Sequence, residues 1–199
     1  SPEAPATAQP AAEVSTPTQF TKLSAEQTGI DFQNRITETP ELNYLSYNYV
    51  YTGAGVAVGD FNNDGLPDLY FTGNVENDRL YINTGNLTFE DITATAIPAA
   101  INGWNRGVVL TDINNDGHLD IYICRAGWKD DPAGWANILL INNGEPDAPT
   151  FTEAAEAYGL ADRGHSTQSL FFDYDRDGDL DCYVMNHLAE RNADSKPYT

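Results

Sequence analysis

Asp60-Phe61-Asn62-Asn63-Asp64-Gly65-Leu66-Pro67-Asp68-Leu69 is the stretch on which the reading of the chain turns, because its arrangement returns twice downstream. The second copy is Asp112-Ile113-Asn114-Asn115-Asp116-Gly117-His118-Leu119-Asp120-Ile121, and the third is Asp173-Tyr174-Asp175-Arg176-Asp177-Gly178-Asp179-Leu180-Asp181-Cys182. Each copy sets carboxylate or amide oxygens at positions 1, 3, 5 and 9 and Gly at position 6. That is the chemistry of a cage for a hard cation. Ca²⁺ takes roughly 6–8 oxygen ligands at about 2.3–2.6 Å, so a short loop must turn several side chains inward and add a backbone carbonyl, here that of residue 7. The turn after position 5 is tight enough to require positive φ, which Gly65, Gly117 and Gly178 adopt without a Cβ clash. Mg²⁺ suits the pattern less well, since it prefers smaller, water-rich octahedra.

An EF-hand loop opens in the same way but ends in a bidentate Glu at position 12, carried on a helix. Position 12 here is Phe71, Ile123 and Val184, and the residues before it (Leu69-Tyr70, Ile121-Tyr122, Cys182-Tyr183) are strand formers. The loops are therefore expected to join two strands, with Asp68, Asp120 and Asp181 supplying the last carboxylate.

Composition agrees with a metal-dependent fold. The chain of 199 residues carries a formal charge of −20, and eleven of its thirty acids lie inside the three loops, where like charges repel unless a cation is bound. Three Ca²⁺ would bring the charge to −14. So acidic a surface argues against nucleic acid or an anionic membrane as partner, because both attract Lys and Arg. No apolar run reaches the ~18 residues of a membrane span. The chain begins at Ser1 with neither a signal peptide nor an initiator Met, as a processed or excised chain does. Scarce cytosolic Ca²⁺ points to an extracellular or cell-surface setting, outer-membrane association included. Cys124 and Cys182 read as small buried hydrophobes; their offsets from their loops, 12 and 9, differ by an odd number and put them on opposite faces of equivalent strands.

Residues 1–19 hold Pro2, Pro5, Pro10 and Pro17 among Ala, Ser and Thr, with almost nothing to bury, and read as a linker that resembles the tether of a surface domain. From Phe20 to Thr199 a longer repeat emerges. Phe20-Thr-Lys-Leu, Phe89-Glu-Asp-Ile and Phe151-Thr-Glu-Ala each precede a loop, the first interval carrying an insertion around Asn34 to Val50. After the first two loops come the strand signals Arg79 to Asn83, closed by Thr84-Gly85, and Asn137 to Asn142, closed by Asn143-Gly144. The unit is strand a (Val56 to Gly59, Val108 to Thr111, Leu170 to Phe172), metal loop, strand b, strand c, turn, and strand d beginning at Phe. It recurs after 52 residues, Asp60 to Asp112, and after 61, Asp112 to Asp173. Four-stranded antiparallel repeats of this length are propeller blades. The fold class is all-β: blades of an incomplete or truncated β-propeller whose a–b loops bind Ca²⁺. Strand a, nearly all apolar, is expected to be buried on both faces, and the strand at Phe20 to complete a last blade.

These residues resemble the FG-GAP and VCBS repeats, the blade units of integrin α-subunit propellers. Gly53-Ala-Gly55-Val-Ala-Val-Gly-Asp60-Phe-Asn-Asn-Asp64-Gly65 with Asp68-Leu-Tyr-Phe carries the likeness most closely, and the span from Phe20 to about His187 looks like the N-terminal part of large secreted bacterial VCBS-repeat proteins related to cartilage acidic protein. The resemblance implies three Ca²⁺ sites. Their ligands would be the side chains of Asp60, Asn62, Asp64 and Asp68, of Asp112, Asn114, Asp116 and Asp120, and of Asp173, Asp175, Asp177 and Asp181, with the carbonyls of Leu66, His118 and Asp179.

Tyr47, Tyr49 and Tyr51 alternate and are expected on one face of an extended segment, as core packing or, with Trp104, Trp128 or Trp135, as a sugar-stacking platform. Asn86-Leu87-Thr88 matches a glycosylation sequon on a hairpin turn. His165 beside Ser166 reads as a loop contact, and no G-x-S-x-G or H-E-x-x-H motif accompanies the histidines. The expected function is a non-enzymatic extracellular calcium-binding module for surface display, adhesion, or binding of a protein or glycan. Two alternatives are a structural subunit that shares strands with copies of itself and a domain of a larger carbohydrate-active enzyme.

Overall fold

The computed structural model describes residues 20–101, 103–127, 132–145 and 148–187; the N-terminal linker expected over 1–19 and Trp128 lie outside them. Among the described residues ten strands form three antiparallel sheets. The first contains β1 (Val56–Gly59), β2 (Asp68–Phe71), β3 (Arg79–Gly85) and β4 (Thr88–Asp91), hydrogen-bonded in that order. The second repeats it with β5 (Asn105–Thr111), β6 (Asp120–Arg125), β7 (Ile138–Asn142) and β8 (Phe151–Glu153), and the third pairs β9 (Ser166–Phe172) with β10 (Asp181–Asn186). The described chain is mostly β, with four-stranded antiparallel sheets of one strand order, consistent with propeller blades.

Register ties each loop to the same place. Gly59 pairs with Asp68, Thr111 with Asp120 and Phe172 with Asp181, so position 9 is always the first residue of the second strand.

The sheets stack face to face, and strand alternation decides what each face contributes. Ala57, Tyr70 and Leu80 of the first sheet meet Val108, Ile121, Ile123, Ile138 and Leu140 of the second. The opposite face of the second sheet presents Tyr122, Cys124 and Leu139 to Phe171, Cys182 and Val184 of the third. Hence β6, not the first strand of the unit, is buried on both faces. Val56 and Val58 of β1 are 56% and 60% exposed, because among the described residues no sheet lies against their side. Cys124 and Cys182 are neighbours, because opposite faces of equivalent strands in stacked sheets look toward each other. Both thiols are free, Cys124 buried and Cys182 half-buried.

A buried polar clasp repeats at the two stacking interfaces. Asp78, just before β3, accepts hydrogen bonds from Tyr70 Oη (2.8 Å), Gly73 N–H (2.8 Å) and Nδ2 of Asn105, the first residue of β5 (2.8 Å). One unit later Asn137 takes the place of Asp78: its Oδ1 accepts from Arg125 N–H, and its Nδ2 donates to Tyr122 Oη and to Oγ of Ser166, the first residue of β9. Each clasp pins the start of one sheet to the middle of the preceding one. Burial pushes the Asp78 carboxyl above its ordinary range, and burial beside that carboxylate pushes the Tyr70 phenol well up.

Phe20 is not in a strand, and at 86% exposed it packs against little. Phe89 and Phe151 enter strands because β3 and β7 precede them as partners; Phe20 follows no such strand. The segment instead runs into the short helix α1 (Ala25–Thr28), opened by Ser24 N–H donating to Gln27 Oε1 (2.9 Å) and closed by Gly29 at φ +79°. A Cβ at Gly29 would sit 2.4 Å from the Phe89 carbonyl oxygen, so only glycine lets this helix lie on β4. Beyond it Phe32 stacks on Phe71, with ring centres 5.3 Å apart, and Tyr81 Oη donates to Asp31 (3.0 Å).

The stretch holding Tyr47, Tyr49 and Tyr51 is a run of turns rather than an extended segment, so the three do not share a face. Tyr47 is buried edge-on against Trp104 at 5.2 Å, Tyr49 is half-buried, and Tyr51 is exposed. The first hairpin also differs from its sequence reading. Asn86 and Leu87 are its central residues, both with positive φ (54° and 60°), whereas Gly85 belongs to β3 at a register shift. Asn86 of the sequon is exposed at this tip.

Candidate metal centre

Each loop is shaped by its own side chains holding its own backbone. In the first, Asp60 accepts from Asp64 N–H through Oδ1 (3.1 Å) and from Gly65 N–H through Oδ2 (2.8 Å), while Asp64 Oδ1 accepts from Leu66 N–H (2.7 Å) and its Oδ2 from Asn62 Nδ2 (3.0 Å). The second loop repeats every one of these contacts with Asp112, Asp116, Gly117, His118 and Asn114, at 2.8–2.9 Å. Gly65, Gly117 and Gly178 have φ of 85°, 84° and 97°, as their spacing requires.

Position 4 also lies in the left-handed region: Asn63 at 58°, Asn115 at 57° and Arg176 at 66°. Sequence reasoning passed over it. The signal was there in the two asparagines, which tolerate this conformation better than other non-glycine residues. Arg176 has no such advantage, and the third loop differs: Asp173 Oδ1 accepts from Arg176 N–H (2.6 Å) and Oδ2 from Gly178 N–H (3.3 Å).

Position 9 has a second role. Asp68 is fully buried, and both its oxygens accept from backbone: Oδ2 from Phe61 N–H (2.8 Å) and Oδ1 from Asn83 N–H in β3 (2.8 Å). Asp120 does the same with Ile113 (3.0 Å) and Asn142 (2.8 Å), and Asp181 Oδ2 accepts from Tyr174 N–H (2.7 Å). In the first two loops this carboxylate buttons the loop to the third strand of its sheet. Four lone-pair sites per carboxylate leave acceptor capacity beyond these two bonds.

Electrostatics inside the loops is unbalanced. Burial raises the Asp68 and Asp120 carboxyls despite their N–H partners, and the charges at positions 5 and 1 raise them further. Asp116 is held low by His118 N–H, whereas Asp179 is raised by the neighbouring Asp177 charge. In the third loop oxygens of Asp173, Asp175 and Asp177 all lie within 4.8 Å of one another, a convergence of like charge that a divalent cation would reverse from repulsion to attraction. The donor set, all oxygen and mostly carboxylate, fits Ca²⁺.

The loops also touch. Asn63 Nδ2 donates to the Gly117 carbonyl (3.1 Å) and lies 3.1 Å from His118 Nδ1, and Asn142 Nδ2 donates to the Phe61 carbonyl (2.9 Å). The first two loops thus sit side by side at one end of the stack. The His118 side chain serves this bridge, leaving its carbonyl as the group that position 7 would offer a metal.

Two sheets with one strand order and register, stacked with their Asp-rich loops at one end, are blades of the propeller type. Residues 60–123, from the first loop through the second, match the FG-GAP-like repeat. Cartilage acidic protein 1 of Xenopus tropicalis is 34% identical over 77 residues, a distant similarity that covers 39% of this chain and 12% of that protein. No helix of the described residues is long and apolar enough to cross a membrane.

Proposed function

We propose that the chain is a non-enzymatic, extracellular, calcium-stabilised set of propeller blades that presents a binding surface to a protein or glycan. The observation that carries this reading is the triple recurrence of one Asp/Asn-Gly loop between paired strands, with carboxylate oxygens converging in the third copy and the ninth residue locked to the sheet behind it in the first two. One Ca²⁺ per loop, held by the side chains at positions 1, 3, 5 and 9 and the carbonyls of Leu66, His118 and Asp179, would cancel the repulsion and make the loop end rigid. The carboxylates that could act as acid or base are then occupied by metal and backbone, which favours scaffold over catalyst. A glycan and protein array probed in millimolar Ca²⁺ and again in chelator tests the binding role: calcium-dependent capture of a defined ligand supports it, and capture of none contradicts it.

Association with copies of itself is favoured by a different observation. The outer face of the third sheet exposes Leu170, Phe172, Tyr183 and Met185, and the far face of β1 exposes Val56 and Val58. Light scattering with and without Ca²⁺ separates the two readings, since a defined oligomer supports assembly and a monomer supports the stand-alone module.

A further inference from the structure

The end of the sheets opposite the Asp loops carries a different chemistry. Arg106, the second residue of β5, lies six strand residues from the loop at Asp112, about 20 Å at roughly 3.3 Å per residue. It is only 6% exposed. Its Nη2 donates to Thr52 Oγ1 and its guanidinium carbon stands 6.0 Å from the centre of the Tyr49 ring, but its Nη1 is buried with no hydrogen-bond partner. Among the described residues the ion pairs are Arg79–Asp91 and Arg163–Glu156, and no described acid pairs with Arg106.

A buried cation without a counter-ion is costly, by several kcal/mol as a rule. In so acidic a chain, leaving this one unpaired is informative. Around it runs an aromatic belt drawn from the segments that flank the strands: Trp104 on Tyr47 (5.2 Å), Tyr47 on Tyr49 (5.9 Å), Tyr49 on His187 (4.3 Å), His187 on His165 (5.2 Å) and His165 on Trp135 (4.4 Å). His187, which shares the Tyr49 ring with Arg106, has a buried Nδ1 that also lacks a partner. Burial, with Arg106 and His165 nearby, lowers His187 to about 4, so at neutral pH it is an uncharged imidazole able to donate one hydrogen bond. Tyr49, His165, His187 and Trp135 are all half-buried, so the belt has an edge open to solvent.

We propose that Arg106, with His187 beside it on Tyr49, anchors a binding site for a small organic carboxylate, either a free acid or the carboxylate of an acidic sugar. The guanidinium fork matches the two oxygens of a carboxylate, and the flanking rings supply faces on which a sugar or short carbon skeleton stacks. The inference deepens the binding role proposed above by naming a ligand class, and it does not depend on the loops being metal sites.

The test is an NMR titration of the full chain, ¹⁵N-labelled at arginine, at neutral pH, saturating Ca²⁺ and constant ionic strength, with sodium acetate, sodium D-glucuronate and D-glucose as probes. The expected result is a saturable shift of the Arg106 side-chain resonance with acetate or glucuronate and none with glucose; tighter glucuronate binding assigns the site to an acidic sugar, equal binding to a free acid. Arg106→Met should abolish the response, and His187→Phe, which keeps the ring, should weaken it several-fold. No saturable shift with either carboxylate overturns the proposal, as does an equal shift with chloride, which would mark an adventitious ion only. The wild-type titration decides even if Arg106→Met fails to fold, and a null titration in a protein that still responds to Ca²⁺ leaves the calcium reading standing.

Discussion

Asp120→Ala and Asp116→Ala remove the same group from the same loop, four residues apart, and should behave differently. Asp120 is fully buried and holds two backbone N–H groups, Ile113 at 3.0 Å and Asn142 at 2.8 Å. Truncation strands both donors, at about 1–3 kcal/mol each. Part of that is offset by no longer burying a carboxylate whose charged form burial disfavours, so a net loss of about 3 kcal/mol is expected, or roughly 6–12 °C in Tm for a chain of this size. Because the lost bonds are protein bonds, the loss should be present in chelator as well as in Ca²⁺. Asp116 is exposed, and its partners are His118 N–H and Asn114 Nδ2 within the same loop. Its removal should change Tm in chelator by no more than about 0.5 kcal/mol allows, as exposed positions do, and should abolish that loop's share of the stabilisation by Ca²⁺. Thermal melts of the two variants, each with and without Ca²⁺, decide the matter. An Asp120→Ala loss seen only in Ca²⁺ would refute the claim that position 9 buttons the loop to the sheet.

Other outcomes follow from the same geometry. Asp78→Asn should stay within about 1 kcal/mol of wild type at pH 7, since Asn137 fills the equivalent place in the second sheet with the same class of partners, whereas Asp78→Ala should lose about 2–4 kcal/mol in chemical denaturation by stranding Gly73 N–H and Asn105 Nδ2. Burial raises the folded pKa of Asp78 above its ordinary unfolded value, so its contribution is complete below that unfolded value and is lost as pH rises through the folded one. Stability of Asp78→Asn relative to wild type should therefore fall as pH is lowered from 7 toward 4, and a flat difference would contradict the assignment. Gly29→Ala should destabilise by about 1–3 kcal/mol in the same assay, because it combines positive φ with a Cβ 2.4 Å from the Phe89 carbonyl oxygen. Tyr122→Phe should cost about 1–2 kcal/mol, having removed the hydroxyl that donates to the Leu160 carbonyl (2.8 Å) and accepts from Asn137.

What was legible in the sequence is what local chemistry dictates. The three loops, the glycines at their turns and the four strands of the first two units follow from residue spacing, and β1 and β8 begin at the residues expected. What failed depended on neighbours. Val56 and Val58 look as buried as any core strand until the sheet on their other side is counted, and Phe20 copies a strand signal without a preceding strand to pair with. Cys124 and Cys182 were placed on the right faces, yet their meeting becomes visible only once sheets are stacked. The double role of Asp68 and Asp120 was hidden for the same reason, because Asn83 and Asn142, the backbone donors that complete it, lie 15 and 22 residues downstream. The belt from Trp104 to Trp135 gathers residues from several segments that no periodicity links.

The central claim is one Ca²⁺ per loop, and calorimetric titration of chelator-stripped protein with CaCl₂ tests it most directly. The account predicts saturable binding at about three ions per chain, one for each copy of the motif, reduced by one in Asp116→Ala and much weaker for MgCl₂. Absence of saturable calcium binding, or an unchanged stoichiometry in Asp116→Ala, would contradict it.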